Sequence, residues 1–418
     1  MIDLLIVHAS EIVTCPGPIT GVRRARPDDL GLIADGAVAV HAGRIIAVGP
    51  TASLQERFEA TTVIDATGQL VTPGLVDPHT HLVHGGSRHE EWERKVTQSS
   101  LAGLVTGIAS TCAATLATSS AELTARALHD LDTALVHGTT TLEAKSGYGL
   151  SVAEELRLLD VMAALVHPVE ISPTFLGAHV VPAEYAGRRA EYVQLIIDML
   201  PAVRSRAEWF DVWCDPIAFN PTETEQLLRA AVTHGFGCRV HADQTGAVGG
   251  TGLAVSFHAA SVDHLDEASE PDIAALGTSD TVAILLPGCT LHQFETPVRD
   301  WAVWSRRIID SAAVVALSTD YNPGTCPMMS MPVIMGLAAR LYRMSAAEIW
   351  LGVTRNAAAS LRCADRIGSL AVGMQADIAI WHVADHRQVI NRFGDNLIDK
   401  VIKKGTLVVN HGQRTRVD

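Results

Sequence analysis

Two textures of hydrophobic and polar positions divide the 418-residue chain. Residues 1–71 hold short β-rich runs broken by glycine, such as GAVAVHAGRIIAVG from Gly36 to Gly49 and then TTVIDATG, and Gly43 between two apolar runs predicts a hairpin. The same texture returns in ADIAIW (376–381) and in LIDKVIKKGTLVVNHGQ from Leu397, with a turn near Lys404-Gly405. These runs predict a small composite β-sandwich built from residues 1–71 and 366–418. Between them, residues 72–365 alternate short apolar runs with helical segments. The runs are GLVDPHTH, TTTLEAKS, VEISPTFLGAH, WFDVWC, FGCRVHAD, AASVDHL, TVAILLPG and AAVVALSTD. A representative helical segment is SVAEELRLLDVMAALV, where Leu156, Leu158, Leu159 and Met162 fall near one face. Eight strands, each followed by a helix, predict an α/β fold of the (β/α)8 barrel type; the count argues against an open doubly wound sheet.

Composition narrows the class. Hydrophobic residues make up 48% and charged residues 19%, as in a packed globular enzyme. The formal charge of −14 and pI near 5.7 argue against a nucleic-acid surface, which needs clustered Lys and Arg to displace counterions. The N-terminal MIDLLIVHASEIVTC has no basic leader before an apolar core, and no run approaches the ~20 apolar residues of a membrane span. Seven cysteines form neither CxxC pairs nor an even framework, so reduced thiols in a cytoplasmic protein are expected.

The active site of such a barrel lies at the C-terminal ends of its strands. There strand 1 carries His79-Thr80-His81, strand 5 His241, strand 6 His264 and strand 8 Asp320. Side chains two apart on an extended strand point the same way, so His79 and His81 can reach one ion. Each residue has an ordinary explanation: HxH pairs occur by chance, a lone histidine is usually a hydrogen-bonded core residue, and Asp320 before Tyr-Asn-Pro can cap a turn. Ligand-type side chains at four strand ends of otherwise apolar strands are far harder to obtain by chance. Imidazole and carboxylate donors suit Zn2+ or Fe2+.

With these motifs in place the chain resembles the amidohydrolase superfamily and, within it, the imidazolonepropionase family. The resemblance rests on VTPGLVDPHTHLVHGGSR (71–88), GTTTLEAKSGYGL (138–150), TFLGAHVVP (174–182), HADQ (241–244), SVDHL (261–265), LLPG (285–288), STDYNPGTCP (318–327) and IGSLAVGMQADIAIW (367–381). It implies one divalent metal on His79, His81, His241 and Asp320, and no bridging carboxylated lysine, since strand 4 ends in Val212-Trp213-Cys214-Asp215 and Lys145 belongs to the KSGYGL motif. The chemistry implied is metal-assisted opening of a cyclic amide, with Asp320 and His264 passing on the proton of water. His179 is expected to stabilise the oxyanion, and Gln244 to orient the ring. An anionic small-molecule substrate would be held by Arg88, Tyr148, His179 and Gln244, with Asn322, Gly324 and Thr325 lining the same pocket. Arg88 has a competing use as an ion-pair partner of Glu90 or Glu91, and Gly147 and Gly149 are expected to serve turn geometry. Relatives also suggest a homodimer.

The chain departs from the family pattern at the barrel mouth. Residues 104–111 (LVTGIAST) hold one glycine where relatives are glycine-rich, GCTLHQFETPVRDW follows strand 7, His84 stands where an aromatic is usual, and Asp215 where Glu is usual. The leading expectation is hydrolysis of 4-imidazolone-5-propanoate to N-formimidoyl-L-glutamate. The departures motivate an alternative, a related carboxylate-bearing five-membered ring or a deamination. A catalytically silent scaffold is the third reading, opposed by the complete set of ligand-type residues.

Overall fold

The computed structural model describes residues 1–292 and 299–415. Eight parallel strands run through the middle of the chain: strand 1 (Leu75–Asp77), 2 (Thr139–Lys145), 3 (Glu170–Ala178), 4 (Trp209–Cys214), 5 (Gly237–Ala242), 6 (Ser261–His264), 7 (Val282–Leu285) and 8 (Val314–Leu317). Each pairs in parallel with the next. The ring closes beyond the ladders, where Thr80 bridges Tyr321 and the His81 N–H donates to the Tyr321 carbonyl at 2.7 Å. The expected (β/α)8 barrel is therefore present. Its closure is formed by the extensions of strands 1 and 8 that carry the candidate ligands.

The helices follow from their apolar faces. In Val152–Ala163, Leu158, Leu159 and Met162 are buried while Leu156 is half-buried, and the Ser151 side chain accepts the Glu154 N–H at the N-cap. Burying each of these side chains contributes about 1.5–3 kcal/mol, enough to hold a short helix that would be marginal alone.

Both chain ends enter one mixed nine-stranded sheet. The hairpin at Gly43 forms between Leu32–His41 and Arg44–Pro50, and that at Lys404-Gly405 between Ile398–Lys403 and Thr406–Asn410. Both turns have two residues at positive φ, 49° and 73° for Ala42 and Gly43, 51° and 79° for Lys404 and Gly405, the twist that two-residue hairpins favour. Ile6, Val38, Ile45 and Val71 from one end share an apolar cluster with Ile378, Ile380 and Ile402 from the other. No helix among the described residues is long and apolar enough to cross a membrane, and no disulfide joins any of the seven cysteines.

Glu170 at the start of strand 3 ties the barrel to this sheet. It accepts a hydrogen bond from Arg366 and lies 3.6 Å from Lys403 Nζ and 3.5 Å from Lys404 Nζ. Burial alone would raise its carboxyl, but Arg366 and the two lysines outweigh that and hold it at about 2, below the ordinary 4.5. A depressed carboxyl contributes stability that is complete above pH ~4.5 and is lost as pH falls toward 2. Glu170→Gln is expected to unfold more easily by about 1 kcal/mol at pH 6, the network being partly exposed. In urea titrations the gap from the parent should close as pH approaches 2; a gap independent of pH would refute the assignment.

Candidate metal centre and active site

The mouth of the barrel brings His79, His81, His241, His264 and Asp320 together, each no more than 4% exposed. Asp320 Oδ1 lies 3.4 Å from His79 Nε2 and 3.6 Å from His81 Nε2. The ligand-type atoms of His79, His81 and Asp320 fall within 4.8 Å of one another, as do those of His79, His241 and His264. The rings of His79 and His241 are 4.5 Å apart, centre to centre. Strand 1 supplies its pair from two and four residues beyond Asp77, in the extension that bridges Tyr321, so both histidines face the mouth.

These atoms fit a divalent cation. The His79 Nδ1–H is given to Asp263 Oδ2 at 2.6 Å, which leaves Nε2 as a lone pair, and that Nε2 is buried with no hydrogen-bond partner among the described residues. His241 Nε2 is likewise buried and unpartnered. Buried acceptors without a donor are costly and rare, and a carboxylate behind an imidazole is the usual support of a metal ligand. Burial first, with the charge of Lys145 adding to it, holds both histidines well below their ordinary range, in the neutral form that coordinates. Burial pushes the Asp320 carboxyl up to about 7 against the pull of His241. It pushes His264 down to about 3, with His241 adding to the effect. His264 and Asp320 sit at φ 76° and 52°, left-handed conformations that cost of order 1–3 kcal/mol each and concentrate at functional sites.

Around this centre lies a cavity of about 420 Å³ lined by Arg88, Tyr148, His179, Gln244, Asn322 and Thr325 among others. Arg88 lines it while holding Glu91, Nε to Oε2 at 2.9 Å and Nη2 to Oε1 at 2.7 Å, so the ion pair with Glu91 is formed by a residue that also borders the cavity. Glu91 also accepts the Gly107 N–H at 2.9 Å. The divergent segment is thereby anchored: it opens the helix Gly107–Ala117 and puts Ile108 and Ala109 on the cavity wall. Tyr148 is placed by the buried Glu155, which accepts the N–H groups of Gly147, Gly149 and Leu150 at 3.0, 2.8 and 2.8 Å. Gly147 at φ 104° needs the freedom of glycine.

Other placements refine the reading of the sequence. His179 gives its Nδ1–H to the Gly147 carbonyl at 2.9 Å, and burial pushes it down to about 3. The neutral ring then offers the cavity an acceptor, so oxyanion stabilisation by His179 requires the imidazolium form. Asn322 spends its side chain on its own turn, donating to the Asp320 carbonyl and Thr325 Oγ1 and accepting from the Gly324 and Thr325 N–H groups. Gly324 is set back against Arg88. Asp215 accepts the Gln244 and Thr245 N–H groups at 3.0 and 2.8 Å and so fixes the loop that presents Gln244. His84 is buried behind the wall, its ring 5.5 Å from Tyr321 and its Nδ1 2.9 Å from the His81 carbonyl. In the segment after strand 7, residues 293–298 lie outside the described residues; ahead of them, Cys289 has its sulfur within 4.8 Å of ligand atoms of His264 and Asp320.

Trp213 was not singled out from the sequence as a site residue. It lines the cavity, and its buried Nε1–H has no acceptor among the described residues. The signal lay in the pairing register, where Trp213 stands beside His241 on the neighbouring strand and shares its face.

The profile of the Amidohydrolase family matches residues 70–408, which span the barrel and most of the C-terminal strands. The chain belongs to the amidohydrolase family. A second profile, the bacterial imidazolonepropionase-like composite domain, matches residues 36–58. The imidazolonepropionase of Symbiobacterium thermophilum is 41% identical over 428 residues, covering 99% of each chain. That of Brevibacillus brevis is 40% identical over 424 residues, covering 98% of each. Among solved structures, a zinc-bound adenosine deaminase from Xanthomonas campestris superimposes with a TM-score of 0.69 at 19% identity, covering 100% of this chain and 95% of that one. The zinc complex of an atrazine chlorohydrolase from Arthrobacter aurescens gives 0.70 at 16%, covering 99% and 97%. At such identities the structural matches establish the fold alone. Family membership and the donor set together make this amidohydrolase a divalent-metal protein.

Proposed function

We propose that this amidohydrolase opens the ring of 4-imidazolone-5-propanoate to N-formimidoyl-L-glutamate, a step of histidine degradation. Its centre would hold one zinc or iron(II) ion on His79, His81, His241 and Asp320. The observation that carries the reading is the buried Nε2 of His79, unpartnered among the described residues and 3.4 Å from Asp320 Oδ1, with the equally unpartnered Nε2 of His241 on a ring 4.5 Å away, at a cavity lined by Arg88. The full-length relatives at 40–41% identity, each an imidazolonepropionase, favour this ring over the related five-membered rings and over deamination.

When bound, the ion supplies Lewis acidity and a water acidified toward neutrality. The chain's own residues do the rest. Asp320, raised toward neutral pH by burial, accepts the proton of the attacking water and returns it to the departing ring nitrogen as the C–N bond breaks. His264, its ring 5.4 Å from that of His241, is the second titratable group at this point. Arg88 binds the propionate, while Tyr148, Gln244 and the unpartnered Trp213 N–H meet the polar edge of the ring.

The test is direct. Purified protein loaded with Zn2+ or Fe2+, its metal content fixed by elemental analysis, is mixed with imidazolonepropionate, and the decay of substrate absorbance and the appearance of formimidoyl-glutamate are followed. Catalytic turnover is expected; none at full metal content would overturn the proposal.

A further inference from the structure

Behind the histidine cluster lie five fully buried charged side chains: Glu143 and Lys145 on strand 2, Asp211 on strand 4, Arg239 on strand 5 and Asp263 on strand 6. Lys145 Nζ donates to Glu143 Oε1 and to Asp211 Oδ2, both at 2.7 Å, and lies 3.7 Å from Asp263 Oδ2. Strands 4 and 6 do not adjoin strand 2, so these contacts cross the barrel interior. Barrel interiors are ordinarily filled by branched apolar side chains, and a buried ion cluster is poor evidence for stability. Its placement points elsewhere.

Two of the three carboxylate oxygens that Lys145 faces stand behind cluster histidines. Asp263 Oδ2 accepts the His79 Nδ1–H at 2.6 Å, and Asp211 Oδ2 lies 3.0 Å from His241 Nδ1. The opposite nitrogen of each ring, Nε2, is unpartnered among the described residues; at His241 the Asp211 contact is a close approach of charge and not an aligned hydrogen bond. Arg239 also joins the cluster, its Nε 3.3 Å from Glu143 Oε1, but its other contacts are with Ser261 Oγ, the Ser360 carbonyl and the Trp209 ring, and it backs no cluster histidine. We propose that Lys145 is a positioning residue for the metal centre: one buried ammonium clamps Asp211 and Asp263, and through them fixes the rotation of His241 and His79 toward a shared cation. Without the clamp the two carboxylates repel, the rings lose their fixed backing, and the donors no longer converge.

The inference rests on the metal centre proposed above, and the experiment separates the two. Zn2+ affinity is measured by competition with a chromophoric chelator, and the visible spectrum of the Co2+-loaded protein reports ligand geometry. Parent, Lys145→Met and the double variant Lys145→Met/Glu143→Gln are compared. The double variant removes, together with the ammonium, the carboxylate that touches no cluster histidine, and so leaves less uncompensated charge in the core. If the parent binds no metal, the earlier reading falls and this one with it. With the parent binding, the variants are expected to bind Zn2+ about 10–100-fold more weakly and to give a shifted Co2+ spectrum, at unchanged far-ultraviolet circular dichroism. Folded variants with parental affinity and spectrum would overturn the proposal. Failure of both to fold would assign Lys145 to the fold alone and overturn it equally.

Discussion

Asp320→Asn is expected to lower kcat by at least ~10³-fold, the upper part of the range for removing a positioned general base. The amide keeps the size of the carboxylate and the bond that Thr325 Oγ1 makes with the outer oxygen at 3.4 Å, so the loop after strand 8 should hold its shape. What it lacks is an oxygen able to take a proton at the point where Oδ1 stands 3.4 and 3.6 Å from the two strand 1 histidines. A carboxylate can take up and return a proton there, and asparagine has no such form. The variant also loses a charged metal donor, so kcat is compared at equal metal content, verified by elemental analysis. A metal-loaded Asp320→Asn enzyme within tenfold of the parent would remove Asp320 from the proton path and leave it a ligand at most.

The barrel and its mouth were legible for a simple reason. Strand-end positions are few, and ligand-type residues in otherwise apolar runs such as FGCRVHAD and AASVDHL stand out. The support behind them was not legible. In TTTLEAKS, Glu143 and Lys145 are two apart, the pattern of a solvated strand face, and only closure of the ring turns that face inward onto Asp211 and Asp263. Glu155 shows the same limit in a helix. By periodicity it belongs beside the apolar stripe of SVAEELRLLDV, yet its carboxylate is buried to receive three N–H groups of the loop carrying Tyr148. Nor does a sequence state a tautomer. The acceptor that His179 turns toward the cavity follows from where the Gly147 carbonyl lies. The departures from the family pattern are answered in part by anchoring: Gly107 is tied to Glu91, and Asp215 takes up the N–H groups beside Gln244, so altered segments still deliver their side chains to the wall.

Arg88→Met is expected to raise KM for a propionate-bearing substrate by roughly 30–150-fold, the equivalent of about 2–3 kcal/mol for a charge-assisted contact, with a smaller effect on kcat. The fold should survive, because Glu91 retains Lys95 Nζ at 2.6 Å and the Gly107 N–H at 2.9 Å. Gly324 offers an independent way to disturb the same group. A methyl carbon built there would lie 1.8 Å from Arg88 Nη1 and 2.4 Å from Cζ, and Gly324 has no positive φ to forbid alanine, so the guanidinium alone must give way. Gly324→Ala should therefore reproduce the Arg88→Met phenotype in weaker form, and the double variant should be no worse than Arg88→Met. The decisive comparison uses an imidazolone whose side chain ends in a neutral amide. If Arg88 reads the carboxylate, parent and Arg88→Met turn over that analogue with similar KM; an equal loss on both substrates would place Arg88 in the architecture of the wall and leave the anionic end of the substrate to another residue.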